Sequence, residues 1–146
     1  MSFVIDSSVT MTWCFEDEAT PQTDHLLRRL TDEGAHVPAL WPLEVLNVLM
    51  MAERRGRISP TQRHDRQILL RSLPVTVDTE TAGQAWTITN QLAERHGITL
   101  YDAAYLELAG RLGLPLATLD AELRQAATTS GVPLLPGETD CASIAS

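Results

Sequence analysis

The chain has 146 residues, which suits one domain with one core, and its formal net charge is −8. That charge argues against a protein that coats nucleic acid through a broad basic surface, but not against an enzyme using a metal ion and a few local arginines. No apolar run is long enough to span a bilayer, and no basic stretch precedes a long apolar segment at the N-terminus, so a cytoplasmic protein with no membrane association is expected.

Phe3 to Asp6 is a short apolar run closed by polar residues, which reads as a buried strand ending on an acid. Ser7 or Ser8 is placed to cap a helix running through Val9, Trp13 and Phe15. The acidic run Glu16 to Glu18 closes that helix and reads as a solvated face. Thr20-Pro21 starts a second helix with the apolar stripe Leu26, Leu27 and Leu30, and Gly34 stops it. Ala35 to Pro38 is a second strand.

Pro42 opens an apolar helix that runs to Gly56, interrupted by Glu44 and Asn47. These two lie three apart and share a face, although an acid in a first turn is also expected from the helix dipole alone. Ser59-Pro60 starts a helix that runs to about Leu73. Arg54, Arg55 and Arg57 close one helix, and Arg63, Arg66 and Arg71 lie on the next. Of this one basic concentration, Arg54, Arg55, Arg57 and Arg63 are candidate contacts for phosphates or an acidic partner. The competing reading is solvated arginines compatible with a helix C-terminus.

Val75 to Val77 is a third strand. Thr79 is expected to cap a long helix with Ala82, Ala85, Trp86, Thr89, Leu92 and Ala93 on one core-facing side, ended by Gly97. Thr99 reads as the next N-cap, with Asp102 at the third helical position as a capping-box partner. Leu114 to Leu119 is a further strand with Thr118 and Asp120 at its carboxyl end, and Asp120 also suits an N-cap for the helix from Ala121 to about Thr129. Val132 to Leu135 is a last strand. Residues 1–135 are expected to form a single domain and residues 136–146 a flexible tail.

Cys14 and Cys141 lie near opposite ends with no CxxC pair, so free thiols are expected. His25, His36, His64 and His96 show no ligand spacing. All 11 basic residues besides histidine are arginine. Without lysine there is no P-loop and no Schiff-base chemistry. The lysine that normally accompanies the aspartate of a receiver domain or a haloacid-dehalogenase-like phosphatase is also missing.

Strands alternating with helices indicate an α/β fold, a three-layer α/β/α sandwich around a mostly parallel sheet of four to five strands. In that architecture Asp6 and Asp120 end strands, while Glu44 and Asp102 open helices, so four acids fall on one edge of the sheet. Each has a bland local explanation. Together they carry a cost, since two carboxylates about 5 Å apart repel by about 3 kcal/mol at an effective dielectric near 20. A cation relieves it, and oxygen-only donors favour Mg²⁺ or Mn²⁺. Metal-dependent hydrolysis of a phosphodiester is the natural chemistry.

Four stretches, in order, carry a family resemblance. Val4-Ile5-Asp6-Ser7-Ser8-Val9, followed by Trp13 and Glu16 to Glu18, resembles the opening of PIN-domain ribonucleases of the VapC toxin type. Val37-Pro38-Ala39-Leu40-Trp41-Pro42-Leu43-Glu44-Val45-Leu46-Asn47 resembles their second motif. Leu100-Tyr101-Asp102-Ala103-Ala104-Tyr105 resembles the third, and Thr118-Leu119-Asp120 the fourth. The resemblance implies an RNA-cleaving toxin of a type II toxin–antitoxin pair, with Asp6, Glu44, Asp102 and Asp120 as the acids that hold Mg²⁺ or Mn²⁺ and act in catalysis. It implies supporting roles for Ser7 or Ser8, Asn47 and Thr118. It also implies a homodimer blocked by an antitoxin, often through an arginine reaching the acids. The chain departs from the pattern at Thr12, where a basic residue is often seen.

Two other readings compete. A non-catalytic PIN-like module that binds RNA or protein would have no need for four clustered negative charges facing phosphates. A phosphatase is disfavoured by the missing lysine and by an opening that reads Asp6-Ser7-Ser8 rather than DxD.

Overall fold

Five short strands set the position of everything else. In the computed structural model, which describes residues 1–137, β1 (Phe3–Ile5), β2 (Ala35–Val37), β3 (Val75–Val77), β4 (Leu116–Ala117) and β5 (Leu134–Leu135) form one sheet in the order β3-β2-β1-β4-β5. Every pairing is parallel. The central strand β1 is wholly buried, with Phe3 opposite Ala35 on one side and Val4 opposite Leu116 on the other. Strands covered on both faces read as continuous apolar runs, as the central β1 does.

The chain first lays β2 and β3 on one side of β1, then returns to the other side for β4 and β5. The switch in direction falls between β1 and β4, and in open α/β sheets ligands bind beyond the strand carboxyl ends at such a point. Pairing continues just past the strands: the Asp6 amide donates to the Ala117 carbonyl at 3.1 Å, and the Thr118 amide to Leu135 at 3.1 Å. The residues that end β1 and β4 are therefore held side by side.

The helices are α1 (Ser7–Thr12), α2 (Pro21–Glu33), α3 (Trp41–Arg54), α4 (Pro60–Ser72), α5 (Thr81–Gln84), α6 (Asn90–His96), α7 (Leu100–Leu112) and α8 (Ala121–Thr129). They complete the three-layer arrangement around the sheet. The starts of α2 and α4 follow the sequence closely. Thr20 with Thr23, and Ser59 with Gln62, form reciprocal capping boxes, each with a proline in the first turn. Gly34 ends α2 at φ 76°, and an added Cβ would stand 3.3 Å from the Pro74 carbonyl, so only glycine fits the turn into β2.

Several expectations are corrected. Neither Ser7 nor Ser8 caps α1; the Asp6 carboxylate does, accepting from the Val9 amide at 3.1 Å. The helix stops at Trp13 and does not reach Phe15. Glu16–Glu18 forms a separate 3₁₀ turn, and its acids are not merely solvated. Asp17 and Glu18 accept from Arg57 at 2.9 Å each, and that guanidinium lies 3.8 Å from the Phe15 ring centre.

The region after β3 departs most from the expected pattern. Glu80, not Thr79, stands at the N-cap of α5, and it makes no side-chain cap. Thr81 instead donates to Asp78 at 2.9 Å. A π-helical turn, Ala85–Thr89, joins α5 to α6. The extra residue of such a turn rotates the following positions by roughly 100°. Ala82 and Ala85 thus fall off the face that Leu92 and Ala93 share, and Trp86 ends 88% exposed. The expected core-facing stripe is broken. On α3, Trp41, Val45 and Leu49 are buried, but Leu43 is 75% exposed and Leu46 and Val48 are also uncovered.

Among the described residues no buried side-chain nitrogen or oxygen lacks a partner. The densest polar knot joins α7 to the segment after β3. Arg111 donates to Asp78 at 2.7 Å, to Glu80 at 2.9 Å and to Glu107 at 2.7 Å. Burial pushes the Asp78 carboxyl up, but hydrogen bonds from Arg111 and Thr81 outweigh it and hold the group below its ordinary range. Farther along, Arg124 donates to the carbonyls of Thr118 and Pro136 at 2.7 and 2.8 Å, so the chain is tied down where the tail was expected to begin. The remainder of that tail, with Cys141, lies outside the described residues. Burial pushes the Cys14 thiol up to about 11, so it stays protonated at neutral pH.

Glu107 is 5% exposed, and replacing its cationic partner strands a buried carboxylate. Arg111→Met is expected to cost about 2 kcal/mol, short of the penalty for a fully buried pair because Arg111 is partly solvated. Urea unfolding of the two proteins checks this, and a loss under about 0.5 kcal/mol would show that the knot is dispensable.

Candidate active site

Asp6 is the centre of the site. It is 4% exposed, it ends the central strand, and the first turn of α1 starts from it. Oδ1 accepts from the Ser8 hydroxyl at 2.7 Å and the Val9 amide at 3.1 Å, and Oδ2 accepts from the Thr118 hydroxyl at 2.5 Å. Burial pushes the carboxyl above its ordinary value, the three donors pull it back, and the Asp102 charge adds to the rise.

Thr118 and Ser8 do more than orient Asp6. Thr118 is fully buried and also accepts from the Asp120 amide at 3.1 Å. Ser8 accepts from the Leu119 amide at 2.9 Å. The two hydroxyls thus tie the loop after β4 to the end of β1. Asp120 occupies the N-cap of α8, where Oδ1 accepts from the Leu123 amide at 2.9 Å.

Glu44 sits in the first turn of α3, half-buried, and its Oε1 accepts from the Tyr105 hydroxyl at 2.6 Å. Burial raises its carboxyl, Tyr105 lowers it, and the charges of Asp102 and Asp6 raise it further. Asp102 lies in the first turn of α7, where its amide donates to the N-cap Thr99 at 3.1 Å. Burial raises Asp102 most, followed by the Asp120 charge, with Glu122 adding more. Asp6, Asp102 and Asp120 thus each act on another acid of the set through their charge, and Glu44 receives the charges of Asp102 and Asp6. Glu122, in the first turn of α8, is a fifth acid at the rim that the sequence reading did not single out.

The supporting residues divide. Ser8 and Thr118 bond the acids directly, whereas Ser7 makes no side-chain hydrogen bond among the described residues. Asn47 is exposed one turn beyond Glu44. Tyr105 stands in the third motif with no expected role, and its partner Glu44 lies 61 positions away, beyond any local spacing. Of the arginines, Arg57 pairs with Asp17 and Glu18, and Arg63 with Glu53 at 2.8 Å. Arg54 and Arg55 are exposed and form no ion pair among the described residues.

The donors offered by Asp6, Glu44, Asp102 and Asp120 are all carboxylate oxygens. Among the described residues, no three histidine, cysteine, aspartate or glutamate side chains stand close enough to grip one ion directly. A small hard ion that keeps part of its water shell is the class of cation that suits such a set.

Comparison with known proteins places the chain in a family. The family model described as "PIN domain" matches residues 3–128. The chain belongs to the PIN-domain family. Ribonuclease VapC12 of Mycobacterium tuberculosis is 33% identical over 112 residues, 73% of this chain and 79% of that protein. Ribonuclease VapC3 of Pyrobaculum aerophilum is 27% identical over 125 residues, 86% and 94% of the two chains. These two relatives place the chain with the VapC-type members of the PIN family. Among solved structures, that of PAE2754 from Pyrobaculum aerophilum aligns with a TM-score of 0.66 at 24% identity, over 99% of this chain and 96% of that one. A chain in the crystal structure of VapBC2 from Rickettsia felis bound to a DNA fragment from their promoter aligns with a TM-score of 0.66 at 10% identity, over 92% and 97%. These last two likenesses are of fold.

The raised carboxyls of this PIN domain have a measurable consequence. Asp6, Glu44 and Asp102 all hold protons more readily folded than unfolded. That stabilisation is complete below the unfolded values and is lost as pH rises through the higher folded ones. Asp78 and Glu33, which shift downward, act only below the ordinary carboxylate range. With EDTA present, the protein is expected to melt higher near about pH 5.5 than near about pH 7.5. The gain should shrink in Asp6→Asn, and a melting temperature that falls steadily over this interval would sink the argument.

Proposed function

We propose that this PIN-domain protein is a metal-dependent endoribonuclease that hydrolyses RNA phosphodiester bonds, and that it acts as the toxin of a type II toxin–antitoxin pair. The observation that carries the reading is the acid set at the switch point. A buried aspartate is held by three donors, with further carboxylates close enough to raise one another's proton affinity. A purely structural role for Asp6 would be met by the cap on α1 alone. It would not explain why the other acids gather beside it. The relatives named as VapC ribonucleases support the same reading.

Asp6, Glu44, Asp102 and Asp120 are the residues that would hold Mg²⁺ or Mn²⁺. A bound ion of this kind supplies Lewis-acid stabilisation of the charge that develops on a phosphodiester under attack. The chain's own part is to fix the donors before substrate arrives. Ser8, Val9 and Thr118 lock the Asp6 carboxylate, and the α8 N-terminus locks Asp120. Arg54 and Arg55 are the arginines of the α3–α4 region best placed to meet RNA or an acidic stretch of an antitoxin, because Arg57 and Arg63 are already paired. The exposed apolar side chains of Leu43, Leu46, Trp86 and Ile88 support a homodimer. No described helix is long and apolar enough to cross a membrane.

The test is cleavage of RNA by the purified protein in Mg²⁺ or Mn²⁺, against EDTA, with Asp6→Asn alongside. The expected result is metal-dependent cleavage that falls by at least about 100-fold in the variant while its far-UV spectrum stays unchanged. Equal cleavage by both proteins would overturn the site. Absence of cleavage by folded, metal-loaded protein across transfer, ribosomal and messenger RNA would favour a binding module.

A further inference from the structure

The four acids are not held alike. Asp6 has three donors, Asp120 caps a helix, and Asp102 is a short side chain on the first turn of α7. Glu44 has the longest arm of the set, and the Tyr105 hydroxyl is its one side-chain donor among the described residues. Tyr105 is 1% exposed and reaches across from α7 to α3, bridging 61 positions of sequence. It stands three residues after Asp102, so one face of α7 presents both an acid and the hydroxyl that aims the neighbouring acid. Burial and the adjoining carboxylates keep the phenol protonated, so it is the donor. The bond occupies Oε1, while Oε2 accepts nothing among the described residues.

Resting on the metal-dependent reading above, we propose that Tyr105 is a positioning residue that holds Glu44 as a one-oxygen ligand and so favours Mg²⁺ or Mn²⁺ over Ca²⁺. The physical reason lies in the ions. Ca²⁺ takes six to eight oxygens and readily accepts both oxygens of one carboxylate, whereas Mg²⁺ keeps an octahedral shell with several waters and takes single carboxylate oxygens. A short hydrogen bond to an ionised oxygen is strong enough to resist a switch to two-oxygen binding. The competing account is a buried tyrosine that satisfies its hydroxyl on the nearest acceptor. That account predicts a loss of stability in Tyr105→Phe and no change in ion preference.

The experiment is titration of the full-length protein with Mn²⁺ and with Ca²⁺, by calorimetry and by Mn²⁺ electron paramagnetic resonance. Parent, Tyr105→Phe, Glu44→Gln and the double variant are compared, with no nucleic acid present. Tyr105→Phe is expected to weaken Mn²⁺ about 10-fold, the scale of lost outer-shell partners, while Ca²⁺ binding changes less, so that discrimination narrows. In the Glu44→Gln background the second substitution should change neither affinity. Glu44→Asp, which withdraws the carboxylate from an intact Tyr105, should narrow the preference in the same way and covers the case in which the phenylalanine variant does not fold. Unchanged Mn²⁺ and Ca²⁺ affinities in Tyr105→Phe and Glu44→Asp would overturn the proposal. So would an equal loss for both ions, or a Tyr105 effect that persists without Glu44. Failure of the parent to bind either ion would instead remove the metal-dependent reading itself, and this proposal with it.

Discussion

The structure turns on a local deficit of positive charge. At the carboxyl edge of the sheet Asp102 raises Asp6, both raise Glu44, and Asp120 raises Asp102, while hydroxyl and amide donors temper the acids. Four of the arginines are engaged elsewhere. Arg57 and Arg63 pair with acids near the α3–α4 turn, Arg111 closes the knot beside β3, and Arg124 holds carbonyls around β5. Neutral donors orient a carboxylate without cancelling its charge. Under the proposed reading, a bound cation would relieve the charge that such a site retains.

The parallel sheet makes that deficit tolerable. With β1 at the centre, the acid at its end is fixed by the ladder on one side and by α1 on the other. The Asp6 amide continues the pairing to Ala117, its carboxylate caps the helix, and its carbonyl accepts from Thr10. Thr10 in turn accepts from the Trp41 indole at 3.0 Å, which links the same point to the start of α3 and hence to Glu44. Asp6 cannot relieve the repulsion by swinging into solvent, because the most buried carboxylate is also the most tethered. The charge strain is therefore stored at the site, as perturbed carboxylates at functional sites generally show.

The sequence made the acids legible because each ends a strand or opens a helix, and strand ends and helix starts share an edge in a parallel α/β fold. The breaks at Gly34 and Gly97 and the Thr20 and Ser59 caps were legible for the same local reason. What was hidden depends on tertiary contact or on departure from a regular period. The Tyr105–Glu44 bond joins residues 61 apart and leaves no spacing to find. The π turn at Ala85–Thr89 breaks the 3.6-residue repeat from which a buried stripe was inferred, so Trp86 was assigned to the wrong environment. Asp6 as cap was masked by the two serines beside it, which are equally good caps by type. Ser8 bonds Asp6 and Leu119 instead, a choice set by the closeness of β4.

A deficit of this kind admits three occupants. Protons fill it weakly, as the upward shift of three carboxyls shows. Under the proposed reading, a divalent ion fills it in the active enzyme, and an arginine from an antitoxin fills it in the inhibited one. All three seek the same oxygen lone pairs, so each excludes the others. Inhibition then needs no distortion of the fold, since an arginine fork matches a carboxylate in geometry and charge. The absence of lysine and the pairing of the nearby arginines fit this scheme. Under the same reading, an internal cation reaching the acids would compete with the divalent ion and with the antitoxin's arginine alike.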